Sequence, residues 1–243
     1  METLIFDCDG VLVDSEAIAE ATLVELLGEW LPDLDADTVL SQALGMTTAN
    51  ILRHLEGLSA HRLPPAATDL VDDTIEARLA RELQAMPGVT TAIDAIDLPK
   101  AVVSNSRRRR VLASLSTTGL AARLDGAPVF TAEQVDRPKP DPALYRLAAE
   151  TLGTTPTHCL VVEDSVSGVT AAHGAGMTVI GFTGASHVQP GQAERLRKAG
   201  AWQVLTHMSG LAELVQQWRG DHRRGGGPDP LHTQDTSQED KTL

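Results

Sequence analysis

The sequence is poor in aromatic, sulfur-containing and basic residues, and each shortage excludes something. Aromatic residues are only 3% of the 243-residue chain, so a core has to be built from Leu, Val, Ile and Ala. The cysteines are Cys8 and Cys159, each in or beside a strand-like apolar run. Two residues so placed make no disulfide framework and match no metal-binding spacing, which points to a reducing compartment. Lys and Arg number 20 against 33 Asp and Glu, for a formal net charge of −13. Nucleic acid and anionic lipid both attract a basic face, so neither is an expected partner. No apolar run reaches membrane-spanning length, and METLIFDCDG has no basic stretch leading into a long apolar one. The expected setting is therefore the cytoplasm, without a signal peptide. What is present is globular in balance, 42% hydrophobic and 22% charged.

Short apolar runs recur along the chain. Thr3–Phe6, 100–103 and 160–162 read as strands; 129–130 and 178–181 are weaker ones, and 202–205 suits an edge strand. Helical patterns separate them, which predicts an α/β fold with a parallel sheet and crossover helices. Asp141-Pro142 suits an N-cap and first helical position, with Gly153 ending that helix. Residues 165–176 form a small-residue helix suited to close packing on a sheet, and 211–218 a short final helix.

Residues 15–87 differ. They carry three helical stripes and no convincing strand: Ile18, Leu23, Leu26, Leu27 and Trp30; then Ile51, Leu52, Leu55 and Leu58; then Ile75, Leu79, Leu83 and Met86. Pro87-Gly88 closes the segment. It is expected to be a small helical cap inserted into a core made of residues 1–14 and 88–219. From Gly220 the chain turns polar and rich in Gly and Pro, and a disordered tail is expected over 220–243.

The stretch LIFDCDG raises the central chemical question, because Asp7 and Asp9 stand one residue apart at the end of the first strand. Like charges this close raise a pKa unless a cation sits between them, one carboxyl keeps its proton, or the pair faces water. Other strand ends also carry polar groups: Ser104 and Asn105 after KAVV, Glu163 and Asp164 after CLVV. Parallel sheets bind ligands at the carboxyl ends of their strands. Converging carboxylates there suit a hard divalent cation, most commonly Mg2+, and Lys139 in RPKPDP can bring an ammonium to the same rim. A carboxylate beside such charges can attack phosphorus while its neighbour shuttles protons.

DCDGVLVDSE, SNS, RPKPDPALY and VVEDSVSGVTAAHGAGM resemble, in order, the four motifs of the haloacid dehalogenase-like hydrolase superfamily. The branch with a small helical cap, which includes β-phosphoglucomutase and phosphoglycolate phosphatase, is the most similar. The resemblance implies a doubly wound Rossmann-like core. It implies Asp7 as a nucleophile that forms an aspartyl-phosphate, Asp9 as the acid and base, and Lys139 as the residue steadying both nucleophile and phosphate. It implies Ser104 and Asn105 as phosphoryl ligands. Mg2+ would be held by Asp7, Asp164 and the Asp9 carbonyl, with Glu163 as a ligand or a supporting group.

Asp9 is the residue that the dehalogenases lack. The β-phosphoglucomutases carry a histidine where this chain has Ala19 and a cap arginine where it has Thr48. The expected activity is therefore hydrolysis of a small phosphate ester, a sugar phosphate or related acid, by a monomer or small homo-oligomer. A phosphosugar mutase is the alternative. Gly45-Met46-Thr47-Thr48, between two cap helices, is the expected place for specificity contacts, with Gly45 and Thr48 as candidates. Ser15 is read as the N-cap of the first cap helix, Arg107 as the arginine of the 107–110 run nearest the rim, and His187 as the rim histidine.

Overall fold

The computed structural model describes residues 1–35, 40, 48–186 and 188–223. In chain order the elements are β1 (Thr3–Phe6), α1 (Glu16–Trp30), α2 (Thr48–Leu58), α3 (Ala67–Glu82), α4 (Val89–Ala95) and β2 (Lys100–Ser104). Then come α5 (Arg108–Thr117), β3 (Val129–Thr131), α6 (Ala143–Thr151), β4 (Cys159–Glu163), α7 (Val166–Gly174) and β5 (Thr178–Phe182). The described chain closes with α8 (Gln192–Ala199), β6 (Gln203–Leu205) and α9 (Leu211–Arg223). None of these helices is long and apolar enough to cross a membrane.

The six strands form one parallel sheet in the order β3-β2-β1-β4-β5-β6. This is a doubly wound Rossmann-like sheet, and β6 is its edge. Strand order reverses at β1, which pairs with β2 on one side and β4 on the other. The carboxyl ends of those three strands therefore open onto one crevice.

Alternation along the strands divides the core into two layers. Leu4, Phe6, Val102, Leu160, Val162 and Ile180 face one way and join α4, α9 and the helices between β1 and β2. Ile5, Ala101, Val103, Val161 and Val179 face the other, against Leu144 and Ala148 of α6 and Val169 and Ala172 of α7. Both faces are covered, which is why the strands read as unbroken apolar runs.

The segment between β1 and β2 leaves and returns through one narrow neck. The Met86 amide donates to the Leu12 carbonyl at 2.8 Å, and Val13 bridges to Ala85. Beyond the neck, the described residues form helices α1, α2 and α3. Helix α3 packs on both α1 and α5, and Arg109 of α5 meets Glu76 of α3 at 2.6 Å.

Several local expectations hold with shifted ends. Helix α6 begins one residue after Pro142, and the Asp141 carboxylate accepts from the Ala143 amide at 3.0 Å. Gly153 follows that helix at φ 62°, a conformation that costs glycine little. The last helix corrects the expected boundary at Gly220, since α9 continues to Arg223. Trp218 is buried, and both ring nitrogens of His222 lie against carbonyls, of Trp218 and Thr157, at 3.0 and 2.8 Å. Tertiary contacts carry the helix past a glycine that local propensity would read as a stop.

Candidate active site

Asp7 follows directly on β1, and its amide donates to Val162 of β4 at 3.0 Å, so the chain is still held as a strand where the carboxylate begins. It then turns sharply. The amides of Leu12 and Val13 both donate to the Cys8 carbonyl, and Gly10 takes φ 77°. That turn buries Cys8 between Asp7 and Asp9, whose carboxylates line the crevice. Burial, with Asp9 and Asp7 alongside, pushes the Cys8 thiol well above its ordinary range, so it stays protonated and inert.

Lys139 enters from the loop before α6. Its Nζ donates to Asp7 Oδ1 at 2.6 Å, to Glu163 Oε1 at 2.6 Å and to the Val103 carbonyl at 2.8 Å, so all three ammonium protons are used. Burial alone would pull this ammonium down, but Asp7 and Glu163 hold it well above the usual lysine range. Asp7 moves up as well. Burial is the main cause, the Lys139 charge opposes it, and Glu163, Asp164 and Asp9 add to it.

The lysine loop is clipped in place by Asn105. Its Nδ2 donates to the Lys139 carbonyl at 3.0 Å, and its Oδ1 accepts from the Lys139 amide at 3.1 Å. The Asn105 side chain thus positions Lys139 through its oxygen and one of its two Nδ2 N–H bonds.

Glu163 is fully buried at the end of β4. Its Oε1 accepts from Lys139 and from the Tyr145 hydroxyl at 3.0 Å; its Oε2 accepts from the Ser165 amide at 3.2 Å and hydroxyl at 3.0 Å. Gly168 makes room for this carboxylate: a Cβ there would lie 1.8 Å from Oε1. Gly168→Ala is therefore expected to cost about 1–3 kcal/mol by overpacking. A urea denaturation midpoint equal to that of the wild type would show that the carboxylate moves aside freely.

Asp9 sits among donors of its own. Ser15 Oγ donates to Oδ1 at 2.6 Å and Ser106 Oγ to Oδ2 at 2.7 Å, with Arg110 Nη2 at 3.4 Å and Ser104 Oγ at 3.5 Å. Two expectations are corrected here. Ser15 precedes α1 but makes no side-chain cap; its hydroxyl is spent on Asp9. Arg110 reaches Asp9, whereas Arg107 is the exposed residue just before α5.

Together these groups line a cleft of about 330 Å³, with Asp7, Asp9, Ser104, Asn105, Lys139 and Asp164 on its wall and Glu163 beneath. That volume suits a small metabolite. Thr48 opens α2 and is not on the wall; Gly45 and His187 lie outside the described residues. Oxygen atoms of Asp7, Glu163 and Asp164 lie within 4.8 Å of one another. An all-carboxylate donor set fits a hard divalent cation, and Glu163 joins it with both oxygens already accepting hydrogen bonds.

Sequence reasoning missed Ser15, Ser106, Arg110 and Tyr145. Ser106 stands inside the quoted SNS, so position alone could have nominated it; the other three give no local signal.

Residues 4–182 match the family model described as haloacid dehalogenase-like hydrolase. A 6-phosphogluconate phosphatase of Escherichia coli K12 is 30% identical over 218 residues, covering 88% of this chain and 94% of that protein. A haloacid dehalogenase-like protein of Agrobacterium tumefaciens C58 superposes with TM-score 0.79 at 36% identity, covering 89% of this chain and 98% of the other. A hydrolase of the same kind from Deinococcus radiodurans R1, solved with bound phosphate and sodium, gives TM-score 0.77 at 31% identity over 89% of this chain and 96% of that one.

Proposed function

The chain belongs to the haloacid dehalogenase-like hydrolases and is a phosphoric monoester hydrolase, and from that premise we propose that it is a Mg2+-dependent phosphatase of a small phosphorylated metabolite, a sugar phosphate or related acid. The observation that carries the reading is Lys139 Nζ bridging Asp7 and Glu163 at 2.6 Å each, on the floor of a cleft that also holds Asp9 and Asp164. Three remote segments have converged there on the groups that phosphoryl transfer needs.

Asp7 acts as the nucleophile. Its carboxylate oxygen attacks phosphorus in line with the ester oxygen, the P–O bond to the alcohol breaks, and an aspartyl-phosphate forms. Asp9, protonated for this step, gives its proton to the leaving oxygen. A water molecule then attacks the phosphoryl group, Asp9 takes the proton, and Asp7 is regenerated. Ser104 and the main-chain amide of Asn105 receive phosphoryl oxygens, while Lys139 fixes the attacking carboxylate. Asp7, Asp164 and the Asp9 carbonyl would hold the cation, with Glu163 supporting them, and the bound ion supplies charge neutralisation on the transferring group. The helices of residues 15–87 serve as a lid that excludes bulk water and selects the leaving group, and Gly45 and Thr48 remain its proposed specificity contacts.

Hydrolysis is favoured over phosphate migration by two side chains. Ala19, partly buried on α1, and Thr48, at the start of α2, offer no charge to hold a second phosphate. The test is a panel of phosphorylated metabolites with free-phosphate detection, including a sugar 1-phosphate, with and without EDTA. Free phosphate is expected, with activity lost to EDTA and restored by Mg2+. An isomerised sugar phosphate without phosphate release, or turnover indifferent to EDTA, would contradict the proposal.

A further inference from the structure

We propose that Glu16 is a specificity-determining residue whose carboxylate accepts hydrogen bonds from hydroxyl groups of the leaving alcohol, so that the site favours phosphate esters of polyols. This rests on the phosphatase reading above.

The observation behind it concerns which polar groups on the cleft wall are already used. Lys139 spends its three N–H bonds on Asp7, Glu163 and Val103. Asn105 gives its side-chain oxygen and one of its two Nδ2 N–H bonds to the Lys139 main chain. Ser106 donates to Asp9, and Ser165 holds Glu163 while accepting from the Gly168 amide. Glu16 lines the same cleft, is exposed, and its carboxylate makes no hydrogen bond or ion pair among the described residues.

Its position says which part of the substrate it meets. Glu16 is the first residue of α1 and follows Ser15, whose hydroxyl reaches Asp9 Oδ1 at 2.6 Å. Asp9 is the group that protonates the leaving oxygen, so Glu16 stands beside the alcohol. Its negative charge also turns it away from the phosphoryl end. An ionised carboxylate can only accept hydrogen bonds, and it accepts them strongly. Neighbouring hydroxyl groups supply the matching donors, and a site with such an acceptor discriminates against esters that lack them.

The experiment compares sorbitol 6-phosphate with p-nitrophenyl phosphate, whose leaving group carries no hydroxyl beyond the ester oxygen. The value read is the ratio of their kcat/KM in wild type, Glu16→Ala and Glu16→Gln. Glu16→Ala is expected to lower the polyol-to-nitrophenyl ratio about tenfold, chiefly through a higher KM for the polyol ester. Glu16→Gln, which keeps an acceptor oxygen at the same reach, recovers part of the ratio. Both variants should melt within about 2 °C of the wild type, since the side chain is exposed and unpaired. A ratio unchanged within about twofold in both variants, with wild-type hydrolysis intact, overturns the assignment of Glu16 alone. Wild-type protein that releases phosphate from neither ester overturns the phosphatase reading and this assignment with it.

Discussion

Asp7→Asn is expected to abolish phosphate release, by about 10⁴-fold or more in kcat, while the protein remains folded. The amide keeps the shape of the carboxylate but has no ionised oxygen to bond phosphorus, and no neighbour can replace it. Asp9 is held by Ser15, Ser106, Ser104 and Arg110, and Glu163 lies buried under Lys139 and Tyr145. The fold should survive because two effects oppose. Lys139 loses one of its carboxylates, which is unfavourable, but Asp7 is a charge that burial already penalises. Stopped-time assays of phosphate release, with a melting curve for the same preparation, decide the matter. Hydrolysis within about tenfold of the wild type would end the nucleophile assignment.

Lys139→Met should have the largest effect on stability. The wild-type ammonium is almost wholly enclosed and bound to two carboxylates and a carbonyl. Methionine fills a similar volume but leaves Asp7 and Glu163 facing each other without a counter-charge. Removing one partner of a buried ionic group costs about 3–5 kcal/mol. For a chain of this size each kcal/mol lowers the melting temperature by about 2–4 °C, so a fall of about 6–20 °C is expected in metal-free buffer.

The loss should also depend on pH. Burial already holds the folded-state pKa of Asp7 above its unfolded value, and removing Lys139 takes away the charge that opposes this shift. The folded variant therefore binds a proton more tightly than the unfolded chain does. That contribution is fully present below the unfolded carboxylate pKa of about 4 and is lost as pH rises through the folded value. The gap between variant and wild type should be smaller near pH 5 than near pH 8. A gap that is constant across that range, or widest in acid, would show that the ammonium is not what keeps these carboxylates compatible.

The neck between core and inserted helices separates the site of these two variants from that of the Glu16 substitutions. Asp7 and Lys139 lie on the core side, while Ser15 and Glu16 lie where α1 departs. On the proposed mechanism, cleavage of the ester bond depends on the first pair, and on the Glu16 proposal the choice of alcohol depends on the second region, where the chain crosses from sheet to helices.

By itself the sequence determined the α/β class, the approximate place of every described strand, the helices α1, α2 and α3 and the acidic groups at the strand ends. These are short-range properties. Apolar runs such as Leu4-Ile5-Phe6 and Cys159-Leu160-Val161-Val162 are buried on both faces, and an abrupt carboxylate after each run marks where the apolar pattern ends. Only the tertiary structure decided which groups touch. Lys139 meets Asp7 across 132 positions of sequence, and Ser106 meets Asp9 across 97. Ser15 looked like a helix cap and became a donor to Asp9, and the Asn105 side chain also clips the lysine loop, a contact no local pattern announced. Arg110 replaced Arg107 because α5 begins at Arg108 and carries the later side chain back over the cleft. The physical reason is common to all of them. A residue's periodicity is set by its neighbours along the chain, but its hydrogen-bond partner is set by a strand order that seats β1 between β2 and β4, and no local pattern encodes that order.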